Sequence, residues 1–522
     1  MQDETRWTTI PELMAECETC HRDRDAIVDV EAGKTLTFRQ LGQEARRAAA
    51  AFMAAGVERG DRVAIWAPNI WEWVVAALGL HSAGAALIPL NTRFKGREAA
   101  YILRRSRAKI LVTVTEFLGA DYPAQLRDHE LPDLRRTVLL RGSAADGEGW
   151  DEFLAAGAGI DPSERMRTVA PDDPSDILFT SGTTGDPKGV ICTHAQTLRT
   201  FAEWSRVIGL RETDRYLVVN PFFHAFGYKA GWLSALMAGA TMLPHAVFDA
   251  GQVFARIPRD RITMLPGPPA LYQSLLSHPD LTQQDLSSLR LAVTGAAVIP
   301  ASLIIKMREV LGFETVITGY GLTETCGVAT MCRFDDDPET IATTSGRAIE
   351  GTEVRVVDDE GAEVPRGEPG EIVVRGYNVM VGYLDDPAAT AQTVDPEGWL
   401  RTGDIGVMNE RDYVRITDRK KDMFIVGGFN AYPAEIENIL LDHPAVGQVA
   451  VVGAPDHRLG EVGVAFVVRH PDHPIGQEEL IAWSREQMAN YKAPRRVEFV
   501  DTLPTNALGK VTRYVLKARV AG

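Results

Sequence analysis

From residue 60 onward the chain alternates short runs of β-branched and apolar residues with longer segments whose apolar positions recur at helical spacing. Val63-Ala64-Ile65, Ile110-Leu111-Val112, Ile177-Leu178-Phe179, Leu217-Val218-Val219, Thr263-Met264-Leu265 and Leu291-Ala292-Val293 read as strands of sheets flanked by helices. The long apolar run Trp71 to Leu90 has membrane-spanning length, but Glu72, His81, Gly84 and Pro89 interrupt it, so a helix followed by a strand over Ala85–Leu90 is predicted instead. Beyond Thr344 the texture changes to short strands with turn signals, TEVRVVDDEGAEV, GEIVVRG and DYVRITD, which predict a small antiparallel β subdomain. The last segment alternates again. It predicts a strand over Met423–Val426, a helix over Pro433–Leu441, strands over Val449–Val452 and Val464–Val468, and a helix over Gln477–Met488.

An α/β chain of this pattern and of 522 residues, 45% hydrophobic, is too long for one domain of usual size. The expected division is an N-terminal domain over 1–417 with its β-rich part at 345–417, a hinge at 418–421 in the cluster Asp418-Arg419-Lys420-Lys421-Asp422, and a small α+β domain over 422–522. The balance of 55 basic against 71 acidic residues, formally −16, opposes attraction to nucleic acid or an anionic membrane, so a polyanionic ligand needs a local site. The N-terminal MQDETRWTTIPELM lacks a basic and an apolar signal region, and the 5 cysteines suit a reducing compartment; a cytoplasmic location is expected. Cys17-Glu18-Thr19-Cys20-His21 matches the spacing of covalent haem attachment, but without export or a second Cys/His pair the residues read as part of a helix beginning near Pro11.

In such sheets ligands collect at the carboxyl ends of strands, which directs attention to FTSGTTGDPKGV after Ile177-Leu178-Phe179. Gly182, Gly185 and Gly189 let backbone amides approach an anion, Thr180, Ser181, Thr183 and Thr184 add hydroxyls, and Lys188 adds a mobile charge. Pro187 before the lysine and Gly189 after it depart from the Walker A pattern.

TSGTTGDPKG resembles the phosphate loop of the adenylate-forming enzymes: acyl-CoA synthetases, peptide-synthetase adenylation domains and beetle luciferases. The other motifs of that superfamily follow in order: Gly319-Tyr320-Gly321-Leu322-Thr323-Glu324, Trp399-Leu400-Arg401-Thr402-Gly403-Asp404, the cluster at Asp418, and Asn506-Ala507-Leu508-Gly509-Lys510. The likeness spans nearly the whole chain. It implies that ATP is held by the loop, by Gly295-Ala296-Ala297 and by Gly319-Tyr320-Gly321, with Tyr320 stacking on adenine and Thr323 donating to the α-phosphate. Glu324, with Thr184, is implied as the oxygen donor to Mg²⁺, Asp404 and Arg419 as the ribose contacts, and Lys510 as the cation between the substrate carboxylate and the α-phosphate. His224 matches the residue beside the acyl carboxylate, Lys421 the hinge position, and Gly427-Gly428-Phe429 the passage for the pantetheine arm of coenzyme A.

The implied chemistry is attack of a carboxylate on ATP to give acyl-adenylate and pyrophosphate, then displacement of AMP by the thiol of coenzyme A. The partners are thus a small carboxylic acid, ATP and CoA, without nucleic acid or a membrane span; a homodimer is compatible with the resemblance. The acyl pocket is expected along Phe223, His224, Phe226 and Gly227, with Gly295, Cys326 and Gly327 opposite; no isolated Asp stands there to pair an amino group, which favours an uncharged hydrocarbon acid. The runs NPFFHAFGYKAGWLSALMAGAT, LPGPPALYQSLLSHP and YNVMVGYLDDPAAT further resemble the ligases of bacterial steroid breakdown, which act on the bicyclic propanoate left after rings A and B are degraded. Medium- or long-chain fatty acid ligases are the alternative. A luciferase-like oxidase would need oxygen chemistry that no residue announces, a carrier-loading module would carry a further domain after Gly522, and a non-catalytic nucleotide binder would not fill every catalytic position.

Overall fold

The computed structural model describes residues 6–145, 147–180, 187–295, 301–419, 422–426, 429–456, 459–471, 473–488, 490–505 and 511–520, and at 301, 418, 419, 425, 429 and 430 the backbone alone. The predicted α/β rhythm builds two large sheets. In the first, the strands Pro174–Thr180, Ala86–Pro89, Arg62–Trp66, Ile110–Val114, Arg136–Arg141 and Glu148–Gly149 are parallel neighbours. Two antiparallel strands, Lys188–Thr193 and Gly382–Tyr383, close the edge next to Pro174–Thr180.

The apolar run at 71–90 forms the helix Trp71–Ser82 and the strand Ala86–Pro89, as its interruptions predict. Hardly a residue of that helix reaches solvent, because it crosses the helix Phe38–Ala54 closely: a Cβ on Gly79 would stand 2.4 Å from that of Ala48. Phe38–Ala54 starts at a capping box, in which the Thr37 amide donates to Gln40 Oε1 at 2.9 Å and the Gln40 amide to Thr37 Oγ1 at 3.2 Å. Cys17 lies on the helix Ile10–Cys20, its thiol donating to the carbonyl of Leu236, and all five cysteines are free of disulfides.

The second sheet has two four-stranded halves. Arg215–Val218, Thr241–Pro244, Asp25–Asp29 and Lys34–Thr37 form one, and Leu291–Gly295, Thr315–Tyr320, Thr330–Met331 and Arg347–Ala348 the other. The segment Thr263–Leu265, predicted as a strand, is reduced to a bridge at Met264, which pairs with Tyr216 on one side and Leu291 on the other. Pro266 and Pro268 follow it and cannot donate to a ladder, so beyond Leu265 the pairing thins to the Gly267 amide donating to the carbonyl of Val293 at 3.0 Å.

The texture change at 344 corresponds to a four-stranded antiparallel sheet ordered Thr352–Val357, Pro369–Gly376, Leu400–Met408, Val414–Arg419. In the last segment the predicted strands lengthen into the ladder Val446–Asp456 with Gly460–Arg469, because each pairs residue for residue with the other. The helix Pro433–Leu441 has its predicted limits, and Gln477–Gln487 ends one residue early. This segment has its own apolar core, including Phe424, Ile436, Leu440, Val451 and Val467, apart from the main core of the N-terminal part. Among the described residues no helix is long and apolar enough to cross a membrane.

Candidate active site

The parallel strands Leu291–Gly295 and Thr315–Tyr320 end side by side, with Gly295 opposite Gly319. Glycine is required there by close approach: a Cβ on Gly295 would lie 2.9 Å from the carbonyl oxygen of Gly319, and one on Gly321 only 2.3 Å from that of Gly327. The chain then turns through the single 3-10 turn Thr323–Thr325, braced by the Leu322 amide donating to Thr325 Oγ1 at 2.9 Å. Thr323 and Glu324 are thereby presented at the carboxyl end of the sheet.

The phosphate-loop motif joins the antiparallel strands Pro174–Thr180 and Lys188–Thr193, with Thr180 opposite Lys188. Lys188 places its Nζ 4.9 Å from the centre of the Tyr383 ring, and the Tyr383 hydroxyl donates to Glu324 Oε1 at 2.9 Å. Burial, reinforced by the neighbouring Glu324 carboxylate, holds the Tyr383 phenol well above its ordinary pKa, so it stays a donor. One aromatic side chain thus ties the loop lysine to the motif glutamate.

Asp404 sits on the strand Leu400–Met408 and is the cross-strand neighbour of Arg419. It is 3% exposed, and its Oδ2 accepts a bond of 2.6 Å from the Tyr320 hydroxyl. The short distance marks a charge-assisted bond. It joins the antiparallel sheet to the end of Thr315–Tyr320, so that the two groups expected on ribose and adenine share one corner.

After the strand Arg215–Val218 comes the segment expected to meet the acyl group. The Phe222 amide donates to Asn69 Oδ1 at 2.8 Å, and Asn69 Nδ2 donates to the carbonyls of Val218 and Asn220, which pins the turn. His224 Nδ1 accepts from the Phe226 amide at 3.1 Å, which leaves Nε2 as the ring nitrogen that bears a proton. Phe223, His224 and Phe226 are half-buried, and a Cβ on Gly227 would strike the carbonyl oxygen of Pro221 at 2.2 Å. Gly327 faces this segment: a Cβ there would lie 3.4 Å from that of Ala225.

A family model described as AMP-binding enzyme matches residues 15–384, and one described as the AMP-binding enzyme C-terminal domain matches 435–510. The chain belongs to the AMP-binding enzymes. It is 52% identical over 486 residues, covering 93% of this chain and 94% of the relative, to a 3-[(3aS,4S,7aS)-7a-methyl-1,5-dioxo-octahydro-1H-inden-4-yl]propanoyl:CoA ligase of Mycobacterium tuberculosis. A ligase of the same description from Rhodococcus jostii is 48% identical over 520 residues, 98% of each chain. Among solved structures, ATP-bound MatB from Rhodopseudomonas palustris superposes with a TM-score of 0.88 at 31% identity, covering 98% of both chains.

Within this AMP-binding enzyme, Thr180, Lys188, Gly295, Gly319, Tyr320, Gly321, Thr323 and Glu324 lie where strands of the sheets end, and Asp404, midway along its strand, is joined to them through Tyr320. Ser181, Gly182, Thr183, Thr184, Gly185, Ala296, Ala297, Lys421, Gly427, Gly428 and Lys510 lie outside the described residues, as do the side chains of Arg419 and Phe429. Cys326, predicted on the wall of the acyl pocket, is 1% exposed and its thiol is bound in the interior, where Lys229 Nζ donates to Sγ at 3.4 Å and Thr197 Oγ1 lies 3.6 Å away. The cause is backbone: Cys326 takes a left-handed conformation, φ 57°, at the end of the 3-10 turn, which swings the side chain inward.

Sequence reasoning missed Tyr383, Asp176 and Lys229. The run containing Tyr383 carried a resemblance, but nothing local signals that Tyr383 pairs with Val190 beside Lys188. Lys229 and Asp176 form an ion pair of 2.9 Å, at 1% and 0% side-chain exposure. Burial by itself would lower the lysine pKa; Asp176, acting together with Cys192, Cys326 and Tyr228, outweighs it and keeps the ammonium well above its ordinary value.

Proposed function

We propose that this protein makes the CoA thioester of the bicyclic steroid-derived propanoate named for its relatives. It is an AMP-forming carboxylic acid:CoA ligase that uses ATP, Mg²⁺ and coenzyme A. The observation that carries the substrate assignment is the 52% identity over nearly the full length to the Mycobacterium tuberculosis ligase of that acid. The apolar, half-buried segment at Phe223–Phe226 supports a hydrocarbon acid.

In the first half-reaction a carboxylate oxygen of the acid attacks the α-phosphorus, the bond to the bridging oxygen of the β-phosphate breaks, and pyrophosphate leaves. Thr323 donates to the α-phosphate, and Lys510 stands between the two approaching anions, where a cation offsets the charge that develops. Tyr320 covers the adenine, while Asp404, oriented by the Tyr320 hydroxyl, accepts from the ribose with Arg419 beside it. The loop from Thr180 to Lys188 holds the β- and γ-phosphates, and Gly295, Ala296 and Ala297 line the nucleotide. Glu324 suits Mg²⁺: its Oε1 accepts from Tyr383, and a single carboxylate completed by substrate phosphates is the usual protein share of such a site. Bound there, Mg²⁺ would neutralise phosphate charge. Mixed-anhydride formation is needed because a free carboxylate is a poor acyl donor. In the second half-reaction the CoA sulfur attacks the acyl carbon, the bond to the phosphate oxygen breaks, AMP leaves, and the thiol proton passes to solvent.

The separate core around Ile436 and Val467 supports a C-terminal domain, 422–522, that turns about a hinge at 418–421 to exchange Lys510 for Gly427-Gly428-Phe429 between the steps. A cytoplasmic location agrees with five unpaired cysteines and with ATP and CoA as substrates. The test is pyrophosphate release with a panel of acids, with and without CoA. Selective turnover of the bicyclic propanoate to AMP and thioester is expected; selective turnover of palmitate-like acids would overturn the substrate, and ADP as product the whole reading.

A further inference from the structure

Lys229 lies five residues after His224, in the wide helical turn Tyr228–Leu233 that breaks from helical geometry at Gly231, φ −86° and ψ −105°. Its ammonium joins two other segments of the site. Asp176, at 2.9 Å, stands on the strand that runs into Thr180, and Cys326, at 3.4 Å, directly follows the turn carrying Thr323 and Glu324. Asp176 Oδ2 in turn accepts from Ser175 Oγ at 2.7 Å and Thr197 Oγ1 at 3.3 Å. None of these groups reaches water, so displacement of any one segment would strand a buried charge. Cys326 needs such a hold, because a non-glycine residue at φ 57° is in a sparsely populated conformation.

We propose that Lys229 is a positioning residue for adenylate formation: through Cys326 and Asp176 it sets Thr323 and Glu324 and the entry to the phosphate loop against the acyl segment at His224. It thereby governs both the rate of the first half-reaction and the choice of acid. Lys229 touches no substrate in this scheme. The inference rests on the ligase reading above.

Four variants test it: Cys326→Ala, which removes the sulfur acceptor at little change in volume; Cys326→Ser, which restores an acceptor; Lys229→Met; and the double variant Lys229→Met with Asp176→Asn, in which neither charge is left buried alone. Acid-dependent pyrophosphate release is measured with kcat and the KM values for ATP and acid separated, for the bicyclic propanoate and for a straight-chain acid, alongside Tm. Cys326→Ala is expected to lower kcat about tenfold with little change in the KM for ATP and to narrow the preference between the two acids, and Cys326→Ser to recover part of both. The double variant is expected to regain the Tm lost in Lys229→Met but not kcat. A double variant with the parent kcat and acid preference, or alanine and serine variants that both match the parent, would overturn the proposal and leave the pair a purely structural one. Should the double variant not fold, the alanine and serine pair decides alone. A parent enzyme that releases no pyrophosphate with any acid overturns the ligase reading itself and the positioning role with it.

Discussion

Replacing Tyr320 by Phe removes one oxygen from the site and leaves the ring. The ring packs against the apolar cluster of Val190, Val356, Ile372 and Val374, so that contact, and any stacking on adenine, survives. What is lost is the 2.6 Å bond to Asp404 Oδ2. Asp404 is 3% exposed, and water replaces the missing donor poorly. A hydrogen bond to a charged partner contributes about 1.5–3 kcal/mol. If that energy orients Asp404 for the ribose hydroxyls, its loss weakens nucleotide binding and kcat/KM for ATP by roughly 10- to 150-fold. The carboxylate itself is kept, so the lower end is expected for AMP binding measured by calorimetry. The KM for ATP in pyrophosphate release should rise, the KM for the acid should hold, and Tm should fall modestly, because a buried carboxylate loses a donor. Tyr320→Phe with the parent affinity for AMP and the parent KM for ATP would refute the argument that this hydroxyl orients the ribose acceptor.

Lys510→Ala is expected to abolish adenylate formation while largely sparing thioester formation from a supplied acyl-adenylate; equal loss of both half-reactions would sink the domain exchange. Gly321→Ala puts a methyl group 2.3 Å from the Gly327 carbonyl oxygen and 2.6 Å from the Cα of Val328, so the turn bearing Thr323 must shift. A cost of about 1–3 kcal/mol, read as a lower Tm, should accompany reduced pyrophosphate release. His194 is buried with its Nδ1 accepting from the Ile10 amide, and burial pushes its pKa down to about 4, an effect only partly opposed by Asp173 and Glu12. Protonation therefore favours the unfolded chain. The contribution of neutral His194 is complete above the ordinary histidine pKa and is lost as pH falls from there toward 4, by about 3 kcal/mol in all. Denaturant unfolding at pH 7 and pH 4.5 should show a smaller pH-dependent loss in His194→Gln than in the parent.

What was legible in the chain itself was whatever is encoded locally. Interrupted hydrophobicity separated the helix Trp71–Ser82 from the strand Ala86–Pro89, hydrophobic period marked Pro433–Leu441, the glycines and hydroxyls marked the loop after Thr180, and the family resemblance marked the turn at Thr323. The chemistry came from the resemblance that the motifs carry in their order, and each motif is short enough to be read from its own residues. The pairings that assemble those devices were not legible. Tyr383 meets Lys188 and Glu324 only because the strand Gly382–Tyr383 adds to the sheet edge in one register. Asp404 meets Tyr320 only because the antiparallel sheet docks on the end of Thr315–Tyr320. Cys326, small and set among apolar neighbours, reads as a pocket wall until a left-handed backbone turns it onto Lys229, a residue that by composition belongs on the surface. Hydrophobic period and motif spacing specify conformation over a few turns of chain, whereas a buried ion pair between residues 176 and 229 exists only when packing has excluded water from both, and that is a property of the closed fold.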